Sequence, residues 1–253
     1  MNTPLALLGD FGGAVEFIFN ERGSVSGDVQ IGGLSELADL AQTHMVVSIA
    51  AIAIAAALAI PLALWLGHIG RGDFVATAVS NVGRAVPSLA LLAFFFSFIG
   101  LGYENVITVL VLLAIPPLIT NTYVGVRQVD RDTVDAARGQ GMSELDIVRK
   151  IELPLALPSI FGGLRTAAVN VVATATIAPL ANVQTLGEPI LTPQTYGFQG
   201  QLGAAIVVAV ITVAVDFLFA RLQRAVTPAG LKLAEPARDR RFSLPTRRRL
   251  DTT

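Results

Sequence analysis

The chain of 253 residues carries 15% charged and 53% hydrophobic residues, with a mean hydropathy of +0.64. Soluble domains are about one quarter charged, so the composition indicates a membrane protein. The absence of cysteine excludes a disulfide framework and thiolate metal or redox sites, and two histidines cannot form a zinc site unaided. The net charge of −1 indicates no particular partner. We expect no catalytic centre and no metal site.

The N-terminal segment, residues 1–43, contains two short apolar runs at 5–8 and 17–19, which acidic and glycine residues interrupt. No basic residue precedes these runs, so a cleaved secretory signal is not indicated. We expect an extracytoplasmic segment with an interfacial helix. A sixth membrane-spanning helix is the alternative.

Five later stretches are apolar enough for a spanning helix, which needs about 20 such residues. They are residues 45–66, 85–102, 105–126, 166–187 and 203–222. Residues 73–84 are expected to lead into the second span, and the Pro-, Gln- and Gly-rich residues before 203 to form a loop. The sequence therefore predicts an all-α integral membrane protein whose spanning domain covers residues 44–224.

The distribution of basic residues predicts the orientation, because basic residues stay on the cytoplasmic side. One set of segments between the predicted spans contains a single basic residue, Arg22. The other set, which includes residues 127–157 and the tail, contains most of them: Arg71, Arg127, Arg131, Arg138, Arg149, Lys150 and the Arg247–Arg249 run. We therefore expect the N-terminus outside and the C-terminus inside.

A hydrophilic insert, residues 127–157, separates the third and fourth predicted spans. The acidic residues at 130–135 suit a helix start, and Gly139 and Gly141 are expected to interrupt that helix. Ser143, followed by an acid three positions later, indicates a second helix start. The sequence thus predicts two short cytoplasmic helices joined by a glycine elbow.

The second predicted helix has an apolar stripe with which it can dock onto other elements. The stripe consists of Leu145, Val148 and Ile151. Pro154 and Pro158 are expected to end the helix and to turn the chain back towards the membrane.

This insert resembles the EAA loop of ATP-binding-cassette importer permeases, the element that docks into a groove of the ATPase subunit. The matching positions are Asp135, Ala136, Ala137, Gly141, Ile151, Leu153 and Pro154. Gly139 belongs to the same elbow. Asp135 stands where the family usually has glutamate, which keeps the carboxylate on a shorter stem. The alternative is a solvated loop that merely joins two helices.

Three further stretches resemble permeases of glycine betaine, choline, carnitine and proline uptake: "VPSLALLAFFF" (86–96), "NTYVGVRQVDRDTVDAARGQGM" (121–142) and "VRKIELPLALPSIFGGLRTAAV" (148–169). The resemblance implies a bacterial inner-membrane protein that works with an ATPase subunit, a solute-binding protein and a second permease. ATP and magnesium would bind to the ATPase, with no cofactor in this chain. The chain departs from the family at Thr120, where a basic residue is common, and in the glycine-poor outer stretch 181–190.

Other readings remain open beside this one. The chain has no G-x-x-x-x-G-K-[ST] pattern, so it is not itself the ATPase. A permease for methionine or another amino acid is the nearest alternative. A membrane enzyme would need acids, bases or metal ligands clustered in its spans, and a scaffold is the remaining class. We expect no nucleic-acid partner.

Polar residues within the predicted spans are candidates for a translocation path, since lipid offers them no partners. They are Thr120, Asn121, Tyr123, Thr166, Asn170 and Thr174. The alternative is helix–helix adhesion through hydrogen bonds, worth about 0.6 kcal/mol each. For the threonines we favour bonding to their own helix.

Charged and aromatic residues near the membrane have simpler explanations. Arg165 and Asp216 are expected to anchor the helices at the interface, with a functional role as the alternative. Phe94–Phe96 and Phe98 point all round a helix, which favours lipid contact and packing over a cation-binding cage. The basic tail, residues 225–253, is expected to lie in the cytoplasm beside anionic lipid.

Overall fold

The structure, a computed structural model, describes residues 4–27 and 29–227; the basic tail from residue 228 onwards lies outside the described residues. Its elements, in chain order, are α1 (Pro4–Phe19), β1 (Glu21–Gly23), β2 (Gln30–Gly32), α2 (Gly33–Ile69), α3 (Asp73–Ala85), α4 (Ser88–Ile99), α5 (Tyr103–Arg127), α6 (Arg131–Gly139), α7 (Glu144–Ile147), a π-helical segment (Val148–Glu152), α8 (Leu153–Thr174), a 3-10 segment (Ala175–Ala181), α9 (Glu188–Leu191) and α10 (Pro193–Val226).

Four helical stretches among the described residues are long and apolar enough to cross a membrane. They are Gly33–Ile69, Tyr103–Arg127, Glu144–Ala181 and Pro193–Val226. The first, third and last predicted spans lie within these stretches. The prediction of a helical membrane protein is therefore confirmed.

The predicted second span, residues 85–102, is wrong in its bounds. Apart from Ala85, the last residue of α3, only the 12-residue α4 (Ser88–Ile99) is helical there, and Pro87 in extended conformation separates the two helices. A helix of this length is about 18 Å long, shorter than a hydrocarbon core of about 30 Å. A fifth crossing at this point stays a prediction.

The predicted fourth span, residues 166–187, begins too late and ends too far on. Pro154 does not end a helix but lies just after the π-helical segment, in the first turn of α8. Pro158 lies inside the helix, which α7 and the π-helical segment extend backwards to Glu144. At the other end the helix tightens into the 3-10 segment, which stops at Ala181.

The predicted loop before residue 203 is also helical, because α10 begins at Pro193. Gly197, with φ 65° and ψ 176°, breaks this helix near its start. These dihedrals are accessible to glycine and strained for other residues. The first four residues of α10 therefore run in a different direction from its long second part.

The centre of the bundle is the contact between α2 and α5. On α2 a small residue recurs at every fourth position of one face: Ala51, Ala55, Ala59 and Ala63, all at most 2% exposed. Small side chains at this spacing allow two helices to approach closely. They meet Val106, Val109, Leu110 and Leu118 in a shared core cluster.

The N-terminal segment packs onto the bundle through α1 and the hairpin of β1 and β2. Ala14 and Phe17 of α1 are fully buried, and Phe17 belongs to a cluster with Leu186 and Tyr196. The hairpin of β1 and β2 is tied down by Arg22, which donates a hydrogen bond to the carbonyl oxygen of Tyr196 at 2.7 Å. The expected helix is present, and whether it lies at the membrane surface or crosses the membrane stays a prediction.

Candidate functional site

The insert has a small hydrophobic core of its own, separate from that of the bundle. Its members are Val129, Val134, Ala137 and Ile147, with Met142 and Ile151 packed against them. Leu145, which the sequence placed on the inner stripe, is instead 53% exposed. The helix widens into a π-turn from Val148 onwards, which changes the face its residues present. The predicted stripe was therefore wrong by this one residue.

The first helix of the insert begins and ends at well-defined caps. The carboxylate of Asp130 accepts a hydrogen bond from the backbone N–H of Asp132 at 3.1 Å. At the other end Gly141 has φ 82°, and the N–H of Met142 donates to the carbonyl of Ala137 at 3.2 Å. The Gly141 N–H donates to the carbonyl of Arg138, which completes a Schellman motif. The predicted elbow is thus present at Gly141.

Two predictions about the insert are wrong, namely that Gly139 interrupts its first helix and that its second helix is short and separate. Gly139 does not interrupt the helix, because it is the last residue of α6. Ser143 caps the next helix as predicted, with its Oγ accepting from the N–H of Asp146 at 3.2 Å. That helix is not a separate short one, since it continues through Glu152 into α8. A displacement of this part of the insert is therefore passed directly to a spanning helix.

The residues of the predicted coupling motif divide into an outer and an inner set. Asp135, Ala136, Gly139 and Gly141 are exposed on the outside of the insert. Ala137 is buried, and Ile151, Leu153 and Pro154 are partly buried behind them. An open groove of about 460 Å³ runs along α6 and is lined by Asp130, Asp132, Thr133, Ala136, Ala137, Gln140, Met142 and Ile151. Of the motif, Ala136, Ala137 and Ile151 line this groove.

Arg138 joins the two helices of the insert. Its guanidinium donates two hydrogen bonds to the carboxylate of Glu144, at 2.8 and 2.9 Å, and a third to Asp135 at 2.8 Å. The bidentate contact fixes the orientation of the Arg138 guanidinium relative to the Glu144 carboxylate. The Glu144 carboxylate raises the pKa of Arg138 above its ordinary value, so this link does not titrate in the physiological range.

Three of the six candidate path residues line one polar cavity of about 470 Å³ between α5, α8 and α10. They are Asn121, Thr166 and Asn170, and they share the cavity with Arg165, Asp216 and Gln223. Arg165 and Asp216 form an ion pair there, which makes an interfacial headgroup unnecessary for either charge. Thr166 also donates to the carbonyl of Gly162 in its own helix, at 3.1 Å, as favoured for the threonines.

The other three candidates do not line this cavity. Tyr123 is 4% exposed and belongs to the core cluster of α2 and α5. Thr120 is half-buried, with a hydroxyl that has no hydrogen-bond partner among the described residues. Thr174 is the last residue of α8. The predicted stripe of residues 166, 170 and 174 is therefore represented in the cavity by its first two members.

A larger cavity of about 980 Å³ opens next to the insert, between the ends of α5, α8 and α10. It is lined by Gly125, Gln128, Val129, Asp130, Leu155, Pro158, Ser159, Gln223, Arg224 and Thr227. Gln223 lines this cavity and the polar one, and its amide donates to the carbonyl of Pro158 at 2.7 Å. The polar cavity thus adjoins the insert end of the bundle.

The spanning helices carry a capped hydrophilic insert, which is the architecture of a multi-pass membrane protein. The chain belongs to the family of binding-protein-dependent transport system inner membrane components, whose model matches residues 59–229. It is a multi-pass membrane protein and a permease component of an ATP-binding-cassette transporter, homologous to osmoprotectant permeases.

Two curated relatives illustrate the homology. The choline transport system permease protein OpuBB of Bacillus subtilis is 32% identical over 190 residues, which cover 75% of this chain and 88% of that protein. The carnitine transport permease protein OpuCB of Listeria monocytogenes is 33% identical over 192 residues, 76% of this chain and 88% of that protein. An inward-facing structure of the MetNI methionine ABC transporter matches with a TM-score of 0.67 at 18% identity, covering 77% of this chain and 98% of that chain. At this identity the match shows the fold alone.

Sequence analysis missed the pairing of Arg165 with Asp216. It also missed Gln223, which lines both cavities. The two charges are separated by 51 positions, and the sequence between them gave no signal of contact. The available clue was their opposite sign, with Asp216 inside a predicted span and Arg165 next to one.

Proposed function

We propose that the chain is the transmembrane permease subunit of an ATP-driven importer for compatible solutes of the glycine betaine, choline, carnitine and proline type. The relatives named as choline and carnitine transport permeases support this solute class. A separate binding protein delivers the solute, and a separate ATPase binds ATP and magnesium. The protein lies in a bacterial cytoplasmic membrane with its N-terminus outside and its C-terminus inside.

The exposed surface of the insert is the observation that carries this proposal. Asp135, Ala136, Gly139 and Gly141 face outwards from a helix that is capped at both ends and supported by its own core. A rigid, capped helix can receive a push from a soluble partner without unfolding. We assign this surface to the ATPase, with Ala137, Ile151, Leu153 and Pro154 holding it in place from behind.

The polar cavity supports an assignment of the solute path. Asn170 and Thr166 are exposed on α8 although they lie within an apolar stretch. Exposed polar groups in a spanning helix face protein or water in preference to lipid. We therefore place a second permease, identical or homologous, against the face of α8 and α10 that carries these groups, with the solute passing between the two.

An uptake competition assay tests the proposed solute class. Cells with and without this gene take up labelled glycine betaine in the presence of unlabelled choline, proline or methionine. We expect gene-dependent uptake that choline or proline reduces and methionine does not. Competition by methionine alone would favour the amino-acid alternative, for which the MetNI likeness offers the fold.

A further inference from the structure

His68 lies at the insert end of α2, where two carboxylates contact its imidazole ring. Its Nδ1 is 2.8 Å from Oε2 of Glu152, and its Nε2 is 2.9 Å from Oε2 of Glu144. The side chain of His68 is 4% exposed and that of Glu152 is fully buried. Since Glu144 begins α7 and Glu152 ends the π-helical segment, three elements meet at one ring.

The hydrogen bonding of this ring fixes the number of protons in the cluster. A carboxylate only accepts hydrogen bonds, and a neutral imidazole has one N–H and one nitrogen that accepts. A neutral His68 would therefore place a lone pair against one of the two carboxylate oxygens at less than 3 Å. An imidazolium donates to both. Both contacts of the ring are thus hydrogen bonds when His68 is an imidazolium and Glu144 and Glu152 are carboxylates.

The surrounding charges connect the ring to the exposed surface of the insert. Glu144 is held on its other side by Arg138, which also contacts Asp135. Arg131 lies 3.8 Å from Oε1 of Glu152, an oxygen that accepts no hydrogen bond within the described part of the chain. From α5, the guanidinium of Arg127 lies beside Gly70, just after the end of α2.

The charges from Asp135 to Arg131 therefore alternate in sign, and the protonated ring is the link between the two acids. Loss of the ring would remove the hydrogen-bond donor of the buried Glu152 carboxylate, which is strongly unfavourable. Within this row of alternating charges, His68 lies on α2, whereas the other residues lie on the insert.

We propose that protonated His68 is a positioning residue that fastens the insert to α2, so that a displacement of the insert moves α2 together with α8. The proposal rests on the proposed docking of the ATPase on the insert. When the ring is replaced by a side chain that cannot bridge both acids, the insert separates from α2. ATP hydrolysis then continues, with less solute imported per ATP.

The ratio of labelled glycine betaine imported to ATP hydrolysed tests this proposal. The whole transporter, reconstituted in liposomes with its ATPase and binding protein, is assayed at one fixed pH. His68→Gln should lower the ratio by about tenfold, as expected for the loss of a charge-assisted hydrogen bond, while ATP hydrolysis by the transporter is retained.

Glu144→Gln distinguishes the link between α2 and the insert from the mere presence of a charge at position 144. Its side-chain amide can still hydrogen-bond to Nε2 of His68, and Nδ1 still donates to Glu152. We expect this variant to keep most of the ratio of the unaltered protein. Asp146→Asn is the matched control, because it removes an acid that pairs with Lys150 and does not contact His68. The control should keep the full ratio of the unaltered protein.

Each outcome bears on one of the two proposals. Equal ratios for the unaltered protein and His68→Gln, with import retained, would overturn the role of His68 alone. Absence of ATP-driven import by the unaltered protein would overturn the proposed function, and the role of His68 with it.

Discussion

Arg165 of α8 and Asp216 of α10 bind each other through two parallel hydrogen bonds, from Nε to Oδ1 at 2.5 Å and from Nη2 to Oδ2 at 2.7 Å. Both side chains are 40% exposed towards the polar cavity. The pair therefore joins two spanning helices at the surface where we place the solute path. A zwitterionic or cationic solute that passes this point meets both charges.

The Arg165–Asp216 pair predicts a rescue experiment. Arg165→Ala and Asp216→Ala should each lower glycine betaine import, because each leaves one charge unpaired within a spanning region. The exchange R165D/D216R restores opposite charges and should recover most of the loss. Import rates in proteoliposomes at equal protein level provide the measurement. Arg221→Ala is the control, since Arg221 stacks on Phe217 near the end of the same helix. No recovery in the exchange variant would argue against the pair acting as a unit.

The Schellman motif of the insert predicts opposite effects at two neighbouring glycines. Gly141→Ala forces a Cβ into φ 82° and should destabilise the insert by about 1–2 kcal/mol. Gly139→Ala should stabilise it by up to about 1 kcal/mol, because Gly139 is helical and a Cβ there meets no neighbour within 4 Å. Thermal unfolding in detergent and import rates compare the two variants. Equal effects at both positions would contradict the assigned elbow.

The cap of the second insert helix predicts a smaller effect. Ser143→Ala removes the oxygen that accepts from the N–H of Asp146 and should cost about 1 kcal/mol. Ser143→Asn retains an acceptor and serves as the control. Hydrogen exchange of residues 144–147 is the measurement, and faster exchange is expected in the alanine variant alone.

The alanine face of α2 predicts sensitivity to added volume. Ala55 is fully buried against α5, so Ala55→Leu should destabilise the bundle by about 1–3 kcal/mol. Leu58 lies on the same helix but is 60% exposed, and Leu58→Ala should change stability by less than about 0.5 kcal/mol. The melting temperatures of the two variants in one detergent decide the matter. A larger loss for Leu58→Ala would mean that the exposed face packs against another protein.

Local patterns were sufficient for the general architecture and for the position of the coupling motif. The apolar runs within α2, α5 and α10 are long enough to predict spanning helices from hydropathy alone. The acidic start of α6, the glycine at 141 and the serine at 143 each act through neighbouring backbone atoms. Such signals lie within a few residues of the groups they satisfy, which is why the sequence predicted them.

Helix bounds near proline and glycine depended on the tertiary structure. Pro154 by its residue type indicated a helix end, whereas in the structure the helix from α7 continues past it into α8. Residues 193–202 have the composition of a loop, yet they form a helix that packs against α1 through Gly200 and Gly203. In these stretches intrinsic propensity is weak, so long-range contacts decide the conformation.

What the sequence determined by itself was therefore the class of protein, its apolar helices and the capped insert, all of which follow from periodicity and from contacts between near neighbours. Only the tertiary structure brought Arg165 to Asp216, and His68 to Glu144 and Glu152. The physical reason is the distance along the chain, which is 51 residues in the first case and 84 between His68 and Glu152. A charged residue near an apolar stretch of sequence is expected to have a partner. Only the packing of the helices shows which partner it has.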